Sequence, residues 1–483
     1  MDRTLQRPSV WRTILIAVLG FVALAAWGLS SPAGSSPDDD YHLTSIWCAQ
    51  GERAGLCENV TTSSVEVPNN VVHAPCFAYH KDVTGACQAT LGTEMVSIGR
   101  ANILEHSYPP GFYRVMSLFT SHDVAASVML MRLFNAALFV AMATVTFLLI
   151  ERRWRGPLGL GIAVTIVPLG MFIIPSTNPS SWTLYAPAFI FLLVRTALER
   201  PHSGKRLTAL VLASTAITLI ASSARSDAAL YAVFAALLAA CITWRTVLKN
   251  KAFYLSIIPV VVIAGWSLLA GHQVGGASSG LSGDTAAART SVGLLVRNIL
   301  ELPGLYAGVS GTWGLGWLDT PMPAIVWVSG VILIGGVVFS AIAFKRARGE
   351  LFVPGIALAF MAFVPLAISQ LSGAAIGSYV QPRYVLALLA LALVALATTA
   401  TPQLLSSRRQ LAIVAVVVTL ANAIALGTNA IRYAVGLQTA NINPGSSSWA
   451  VLAPSVATVA LGAVAAGMLC LRAYRSSDFR VLH

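Results

Sequence analysis

The chain has 483 residues, of which 56% are hydrophobic and only 10% are charged, and its mean hydropathy is +0.73. Soluble domains carry about 25% charged residues, so this composition excludes an ordinary soluble globular protein. The net charge of +12 comes from 31 Lys and Arg against 19 Asp and Glu. The sequence has no Gly-rich phosphate-binding loop, which argues against an enzyme that uses a nucleotide. It also has no basic–aromatic patch, which argues against a nucleic-acid-binding protein.

Apolar runs of about 20 residues, the length that crosses a membrane, recur along the chain. They predict an all-α, polytopic membrane protein of about 12 transmembrane helices in a single domain over residues 1–483. The first run follows several arginines and could be a signal peptide, but no small-residue cleavage site follows it, so we interpret it as a helix. The predicted spans are residues 12–30, 124–150, 157–174, 182–198, 207–223, 227–243, 252–270, 324–344, 351–370, 384–400, 410–428 and 450–471.

The distribution of basic residues predicts the orientation of these spans. Lys and Arg are concentrated before the first span and after every second one, for example in residues 152–155. Cytoplasmic connections carry this excess, so we expect both termini in the cytoplasm. The extracytoplasmic loops are then the large loop 31–123, a second loop 271–323 and a last loop 429–449.

Four of the six cysteines, Cys48, Cys57, Cys76 and Cys87, fall in the first extracytoplasmic loop. Disulfides persist outside the cytoplasm, so we predict that this loop contains them. Four cysteines allow three pairings, and we favour Cys48–Cys57 and Cys76–Cys87 because each closes a short loop. Zinc is the alternative, but the spacings are not those of a Cys-x-x-Cys site, and we predict no metal-binding residues.

Three consecutive aspartates, Asp38, Asp39 and Asp40, follow the first span. A carboxylate cluster beside lipid is costly and repels itself, and acidic residues are scarce in this chain. The cluster therefore indicates a site where protons move or a cation is held. The alternative is a solvated helix end without chemistry.

Polar and aromatic residues recur at the extracytoplasmic ends of other predicted spans. Together they could form a polar cavity with cations for a phosphate and aromatic rings, Trp317 among them, for a sugar. Structural explanations exist as well: Arg225 and Asp227 could be an ion pair, Asn178 could cap a helix, and Arg383 could reach the headgroups. The candidate substrate-binding residues are Tyr108, Arg114, Asn178, Trp182, Arg225, Asp227, Trp317, Asp319, Arg383 and Tyr384.

The segment Pro37-Asp38-Asp39-Asp40-Tyr41-His42 resembles the Pro-Asp-Glu…His motif of a bacterial membrane family, domain of unknown function 2142. Residues 316–319 (Gly-Trp-Leu-Asp) and 381–384 (Gln-Pro-Arg-Tyr) fall where later motifs of that family fall. The resemblance covers roughly residues 12–430. This sequence departs from the family by having Asp39 in place of Glu and Pro382 in place of a Gly.

The family in turn resembles the fold-C glycosyltransferases (GT-C), such as protein mannosyltransferases. This implies a GT-C-like fold and an integral-membrane hexosyl- or pentosyltransferase. The donor would be a polyprenyl-phosphate sugar and the acceptor an extracytoplasmic envelope glycan, lipid or protein. The resemblance places catalysis in the acidic motif, with Asp39 as our first choice of general base and Asp38 as the second, and His42 beside the substrate. Arg383, and after it Arg225, would hold the phosphate; a divalent cation, Mg²⁺ or Mn²⁺, stays open but is not required.

Two other classes of function remain open. Twelve spans with both termini inside are also typical of transporters and lipid-linked-sugar flippases, although the two halves show no convincing repeat. A proton-coupled carrier would place its acidic residues within spans, whereas here they lie at helix ends. The third class is a non-catalytic assembly factor for envelope polysaccharides, which dispensable aspartates would favour.

Overall fold

The structure is a computed structural model. It describes residues 10–199, 201–242, 250–270, 291–342, 352–400, 408–437 and 455–475.

Within these residues the protein is almost entirely helical, as the apolar runs predict, and a helix or broken helix lies at each predicted span. Two short strands, β1 (Val65–Pro68) and β2 (Met95–Ile98), pair antiparallel in the long loop between the first two predicted spans. The helices are α1 (Val10–Leu29), α2 (Asp39–Trp47), α3 (Asn69–Val72), α4 (Asn102–Glu105), α5 (Gly111–Met116), α6 (Val124–Leu149), α7 (Arg152–Thr165), α8 (Met171–Ile173), α9 (Ala186–Glu199), α10 (Gly204–Ala224), α11 (Ser226–Cys241), α12 (Lys251–Ala270), α13 (Val292–Ala307), α14 (Ala324–Ile342), α15 (Phe352–Leu371), α16 (Pro382–Ala400), α17 (Arg408–Ala434) and α18 (Ser455–Arg475).

Eleven helical segments in the described part of the chain are long and apolar enough to cross a membrane, and Ser226–Cys241 and Pro382–Thr398 are shorter apolar helices. Twelve of these thirteen segments are the predicted spans. The thirteenth, Val292–Ser310, contains α13 and falls inside the predicted loop 271–323. Residues 271–290 of that loop and residues 438–449 of the last loop lie outside the described residues.

Helix α13 begins and ends on the same side of the helix bundle. At its start, Gln370 at the end of α15 donates a hydrogen bond to the Ser291 carbonyl (3.3 Å). Just after its end, Gly308 lies against Pro382 at the start of α16. An exposed ion pair, Arg297 with Glu301 (2.9 Å), crosses its middle, and such a pair is costly inside a bilayer. We therefore interpret α13 as a helix that lies along the membrane surface.

Two central helices, α9 and α16, form the core of the bundle. The apolar window of Pro179–Glu199 is completely buried, and α16 is buried from Val385 to Ala397. Small residues let neighbouring helices approach α16 closely, as where Gly161 of α7 lies directly against Val394. Because these two helices are enclosed on all sides, the residues at their ends are held in fixed positions.

The long loop between the first two predicted spans, residues 31–123, folds as a compact unit at one end of the bundle. The predicted disulfides Cys48–Cys57 and Cys76–Cys87 are both formed, with Cα–Cα distances of 5.2 and 6.2 Å. The first disulfide lies in a buried apolar cluster. This loop therefore has a core of its own, which fixes the short helix α2 over the ends of the spans.

Candidate active site

Distant parts of the chain meet at the end of the bundle where α1 finishes. They are the segment from α1 into α2, the turn before α9, the α10–α11 junction and the start of α16. The end of α17 and the loop before α14 lie beside them. Side chains on such rigid elements can be positioned accurately, as catalysis requires.

Asp38 precedes α2 in the left-handed backbone region, with φ at 60°, which is uncommon for a residue other than glycine. Its carbonyl accepts hydrogen bonds from the N–H groups of Tyr41 (3.0 Å) and His42 (2.9 Å). Its Oδ2 accepts a hydrogen bond from Arg383 Nη2 at 2.6 Å. The Asp38 side chain is 38% exposed and the Arg383 side chain only 5%. The half-exposed carboxylate of Asp38 thus forms an ion pair with the buried guanidinium of Arg383.

Asp39 points the other way, into the protein, and is completely buried. Its Oδ2 accepts a hydrogen bond from the Ser36 N–H (3.0 Å), and its Oδ1 accepts one from the Thr177 hydroxyl (2.7 Å). Burial raises the pKa of Asp39 to about 7, against the lowering effects of the Thr177 hydrogen bond and the charge of Arg132. Asp39 ties the acidic motif to the turn before α9 and is out of reach of a substrate.

The raised pKa of Asp39 predicts a pH-dependent stability. The folded protein holds this proton more tightly than the unfolded chain, so the contribution is fully present below pH 4 and is lost as the pH rises towards about 7. Asparagine stays neutral throughout. We expect Asp39→Asn to gain thermal stability relative to wild type between pH 5 and pH 8, as measured by unfolding of the purified proteins. A difference in Tm that does not change with pH would contradict this.

Asp40, the third carboxylate, faces the outer loop. Its Oδ2 forms an ion pair with Arg100 Nη1 at 2.5 Å, and the Arg100 side chain is 56% exposed. Exposed ion pairs contribute little to stability, typically about 0–1 kcal/mol. The other oxygen, Oδ1, has no hydrogen-bond partner. The three consecutive carboxylates thus occupy three different environments.

His42 lies one turn after Asp38 in a pocket of tyrosines. Its Nδ1 shares a hydrogen bond with the Tyr113 hydroxyl (2.9 Å), and the Tyr108 ring packs on it at 5.4 Å. Burial lowers the pKa of His42 to about 3, so the imidazole is neutral at physiological pH. Burial likewise raises the pKa of Tyr108 to about 12. His42 can therefore orient its neighbours but carries no charge for a substrate.

Arg225 and Asp227 form the ion pair that the sequence allows as a structural explanation. Arg225 donates from Nε to Oδ1 (2.9 Å) and from Nη2 to Oδ2 (2.8 Å) of Asp227. Its guanidinium lies over the ring of Tyr384 at 4.2 Å, and the same ring lies 4.8 Å from Arg383. Two buried arginines therefore flank one tyrosine, and only Arg225 has its fork taken up by a carboxylate.

Asn178 and Trp182 hold the site together from the turn before α9. Asn178 Nδ2 donates to the Pro37 carbonyl (3.0 Å), and its Oδ1 accepts the Ser180 N–H. Trp182 is buried, donates from Nε1 to Asn135 (2.8 Å) and packs on Phe112. Both side chains are thus positioned to support the fold rather than to contact a substrate.

Arg114 does not join this group. It is exposed on α5, with no side-chain partner within the described residues. The sequence-based expectation for this residue stays a prediction without structural support.

Trp317 and Asp319 lie in a second region of the site. Trp317 donates from Nε1 to the Gly34 carbonyl (2.9 Å), four residues before Asp38. Asp319 is paired with the fully buried Arg432 at 2.9 Å. Both residues line an open cleft of about 590 Å³ together with the turn 79–82. Leu318 also lines a separate, narrow crevice, together with Pro37 and Arg383.

Three groups of residues in the site were not singled out from the sequence as functional. Thr177 holds Asp39, and turn 79–82 lines the cleft. Arg132, buried within α6, donates to the carbonyls of Gly28 (3.0 Å) and Pro32 (2.8 Å), fixing the chain before the acidic motif. A charge within an apolar span was a usable signal for Arg132. No local pattern indicates the others, since their partners are far away in the sequence.

Comparison with known proteins gives two similarities. The sequence matches the family described as predicted membrane protein (DUF2142) over residues 21–392. The structure is similar to the cryo-EM structure of the arabinosyltransferase EmbB from Mycobacterium smegmatis, with 16% sequence identity and a TM-score of 0.41. That likeness covers 99% of this chain and 42% of that chain, so this chain spans less than half of the length of EmbB. No curated protein matches the sequence.

The family match begins within α1 and ends within α16, and so includes both the acidic motif and Arg383. It covers most of the 483 residues. The chain is therefore a member of the family of predicted membrane proteins DUF2142.

Proposed function

We propose that this protein is a glycosyltransferase of the bacterial plasma membrane, with both termini in the cytoplasm. It moves a sugar from a polyprenyl-phosphate donor to an envelope glycan, lipid or protein on the extracytoplasmic side. The observation that carries the proposal is the pair formed by half-exposed Asp38 and buried Arg383, 2.6 Å apart. The chemistry needs a base for the acceptor hydroxyl and a cation for the phosphate, and this pair supplies both.

We assign the general base to Asp38, the second choice of the sequence interpretation. A base must come within hydrogen-bonding distance of the hydroxyl that it deprotonates. Asp39 is fully buried with both oxygens occupied, whereas the Asp38 side chain is 38% exposed. Asp40 is equally exposed, but its partner is the exposed Arg100 rather than a buried cation.

Arg383 is the residue that we assign to the donor phosphate. Its Nε is buried and has no hydrogen-bond partner within the described part of the chain, so the guanidinium keeps donor capacity beyond its bonds to Asp38 and Tyr384. The narrow crevice beside it is lined by the apolar side chains of Leu169 and Phe172. Arg225 comes second, because Asp227 already occupies its fork.

In the proposed step the acceptor oxygen gives its proton to Asp38 and bonds to the anomeric carbon of the donor. The bond between that carbon and the phosphate oxygen breaks, and polyprenyl phosphate leaves, its charge balanced by Arg383. We derive no step through Mg²⁺ or Mn²⁺: the three aspartates have other partners, and the described residues contain no group of three His, Cys, Asp or Glu side chains placed to hold a metal.

The proposal is tested by the lipid-linked sugars of a deletion strain. We expect loss of one envelope glycan decoration and build-up of one polyprenyl-phosphate sugar, both reversed by wild type and by Asp39→Asn but not by Asp38→Asn at matched membrane levels. The pools are measured by mass spectrometry of extracted lipids. Unchanged lipid-linked sugars, or full complementation by Asp38→Asn, would reject transfer and favour a transport or assembly role.

A further inference from the structure

The cleft of about 590 Å³ beside the catalytic pair has the size of a small-molecule binding site, roughly 300–1,000 Å³. One wall is the turn Tyr79-His80-Lys81-Asp82, and the other is formed by Trp317 and Leu318. No group that takes part in the proposed transfer step lies in this cleft. The turn was also not singled out from the sequence. We infer that this cleft binds the saccharide part of the acceptor, with Tyr79 as its stacking surface. The inference rests on the proposed function and adds the substrate class of its second subsite.

The backbone of the turn is held firmly while its side chains face the cleft. Arg432, fully buried, donates hydrogen bonds to the carbonyls of Phe77 (3.0 Å), His80 (2.9 Å) and Val83 (2.6 Å). The Leu437 N–H donates to the Lys81 carbonyl (2.9 Å), and the Cys76–Cys87 disulfide closes the loop. The side chains of all four turn residues are exposed. A preformed wall of this kind loses little entropy when a ligand binds.

Backbone strain concentrates around the same space. Five non-glycine residues in the described part of the chain have φ in the left-handed region. Three of them lie here: Asp38 belongs to the catalytic pair, and Tyr79 and Leu318 line the cleft. Such conformations cost about 1–3 kcal/mol each and are found preferentially at ligand-binding and active sites. For large side chains such as Tyr79 and Leu318 they are especially uncommon.

The chemistry of the walls suits a sugar better than a lipid chain or a nucleotide. Tyr79 is 72% exposed and packs edge-on against Trp317, with ring centroids 5.4 Å apart, so the pair offers a supported aromatic surface for the C–H groups of a sugar ring. Lys81 and Asp82 add a donor and an acceptor for hydroxyl groups. Opposite charges side by side do not select an anion, and the polar wall does not suit an acyl chain.

The cleft also lies near the proposed base. Leu318 lines both the cleft and the crevice that holds Arg383. Partial burial and then the carboxylates of Asp38, Asp40 and Asp319 raise the pKa of Tyr79, which places its ring within the electric field of the acidic motif. A saccharide stacked on Tyr79 would therefore extend its terminal hydroxyl towards Asp38.

The test measures binding rather than turnover. Full-length protein in lipid nanodiscs is applied to an array of defined furanose and pyranose oligosaccharides. We expect the wild-type protein to bind one class of oligosaccharide. Tyr79→Ala should bind that class about 5- to 10-fold more weakly, and Tyr79→Phe should bind it normally. Tyr379→Ala is the matched control, since Tyr379 is 62% exposed and does not line the cleft.

Several outcomes would overturn the inference. They are no oligosaccharide binding by wild type, unchanged binding by Tyr79→Ala, and equal losses in Tyr79→Ala and Tyr379→Ala. These outcomes do not depend on the amounts of polyprenyl-phosphate sugar in the deletion strain, which test the proposed function separately. Conversely, saccharide binding that depends on Tyr79 in a protein that leaves lipid-linked sugars unchanged would retain the cleft as a glycan site and reject transfer.

Discussion

Asp38→Asn is expected to lower the rate of sugar transfer per folded protein by about 10²–10⁴-fold, the usual contribution of a general base. Asparagine keeps the shape of the side chain and can still accept a hydrogen bond from Arg383, but it cannot take a proton. The exchange takes the counter-charge from the buried Arg383, so thermal unfolding of the variant is measured beside the rate. The measurement is the initial rate of transfer from radiolabelled polyprenyl-phosphate sugar in membranes with matched amounts of protein.

Asp40→Asn is the matched control for this experiment. Its carboxylate has the same exposure, 38%, and also pairs with an arginine, so the variant likewise removes one carboxylate from the motif; that arginine, Arg100, is 56% exposed, so no buried cation loses its partner. We expect less than about a fivefold change in rate, in line with the small energy of exposed ion pairs. Equal losses in Asp38→Asn and Asp40→Asn would contradict the assignment of the base, as would inactivity of Asp39→Asn with normal Asp38→Asn.

Of the variants considered, Arg432→Met should lower the free energy of unfolding most, by about 3–5 kcal/mol, because it leaves the nearly buried Asp319 without its counter-charge. The change also removes hydrogen bonds to three carbonyls of residues 77–83. Thermal unfolding of the purified protein would report the loss, and limited proteolysis would report opening of the Cys76–Cys87 loop. Arg100→Met is the control, since Arg100 is 56% exposed and should cost about 1 kcal/mol or less.

The double variant Arg432→Met/Asp319→Leu separates the charge from the loop contacts. It removes both partners, so part of the lost stability should return, whereas the protease sensitivity of the loop should remain. An Arg432→Met protein that unfolds at the wild-type temperature would show that the ion pair does not anchor the loop.

Hydropathy predicts the spans of this protein because each span is a long apolar run whose helical structure depends on local sequence alone. Helix α13 was not predicted, for a physical reason. Its apolar window has a mean hydropathy of 1.2, the lowest of the eleven segments, and Arg297 and Glu301 interrupt it. A helix that lies along the membrane surface is amphipathic, and its sequence resembles that of a loop in a hydropathy analysis.

The disulfides were predictable because short loops bring the cysteines of each pair together, as Cys48 with Cys57. The arrangement of the acidic motif was not. Asp38 meets Arg383 across 345 residues of sequence, and Asp39 meets Thr177 across 138. Nothing local distinguishes an aspartate that faces a cleft from a neighbour that turns inward, because that choice depends on how α2 sits over the ends of the central helices.

The surroundings of the aromatic side chains could not be predicted from the sequence either. A tryptophan at the extracytoplasmic end of a span can face a substrate, lipid or the protein interior, and its indole N–H needs a partner when it is buried. Trp182 finds that partner in Asn135 of α6 and is enclosed, whereas Trp317 bonds to Gly34 and still borders the cleft. The two residues look equivalent in the sequence and differ only through their distant partners.

The most direct test of the proposed transfer is consumption of the donor by the purified protein. Lipids extracted from the deletion strain, with the accumulated polyprenyl-phosphate sugar, are reconstituted into vesicles with wild-type or Asp38→Asn protein and an acceptor extract. With wild-type protein we expect the lipid-linked sugar to disappear, polyprenyl phosphate to appear in equal amount, and the sugar to be recovered in the acceptor; with Asp38→Asn we expect none of these changes. A lipid-linked sugar that stays intact, or only moves between the two leaflets, would contradict a glycosyltransferase and indicate a transporter.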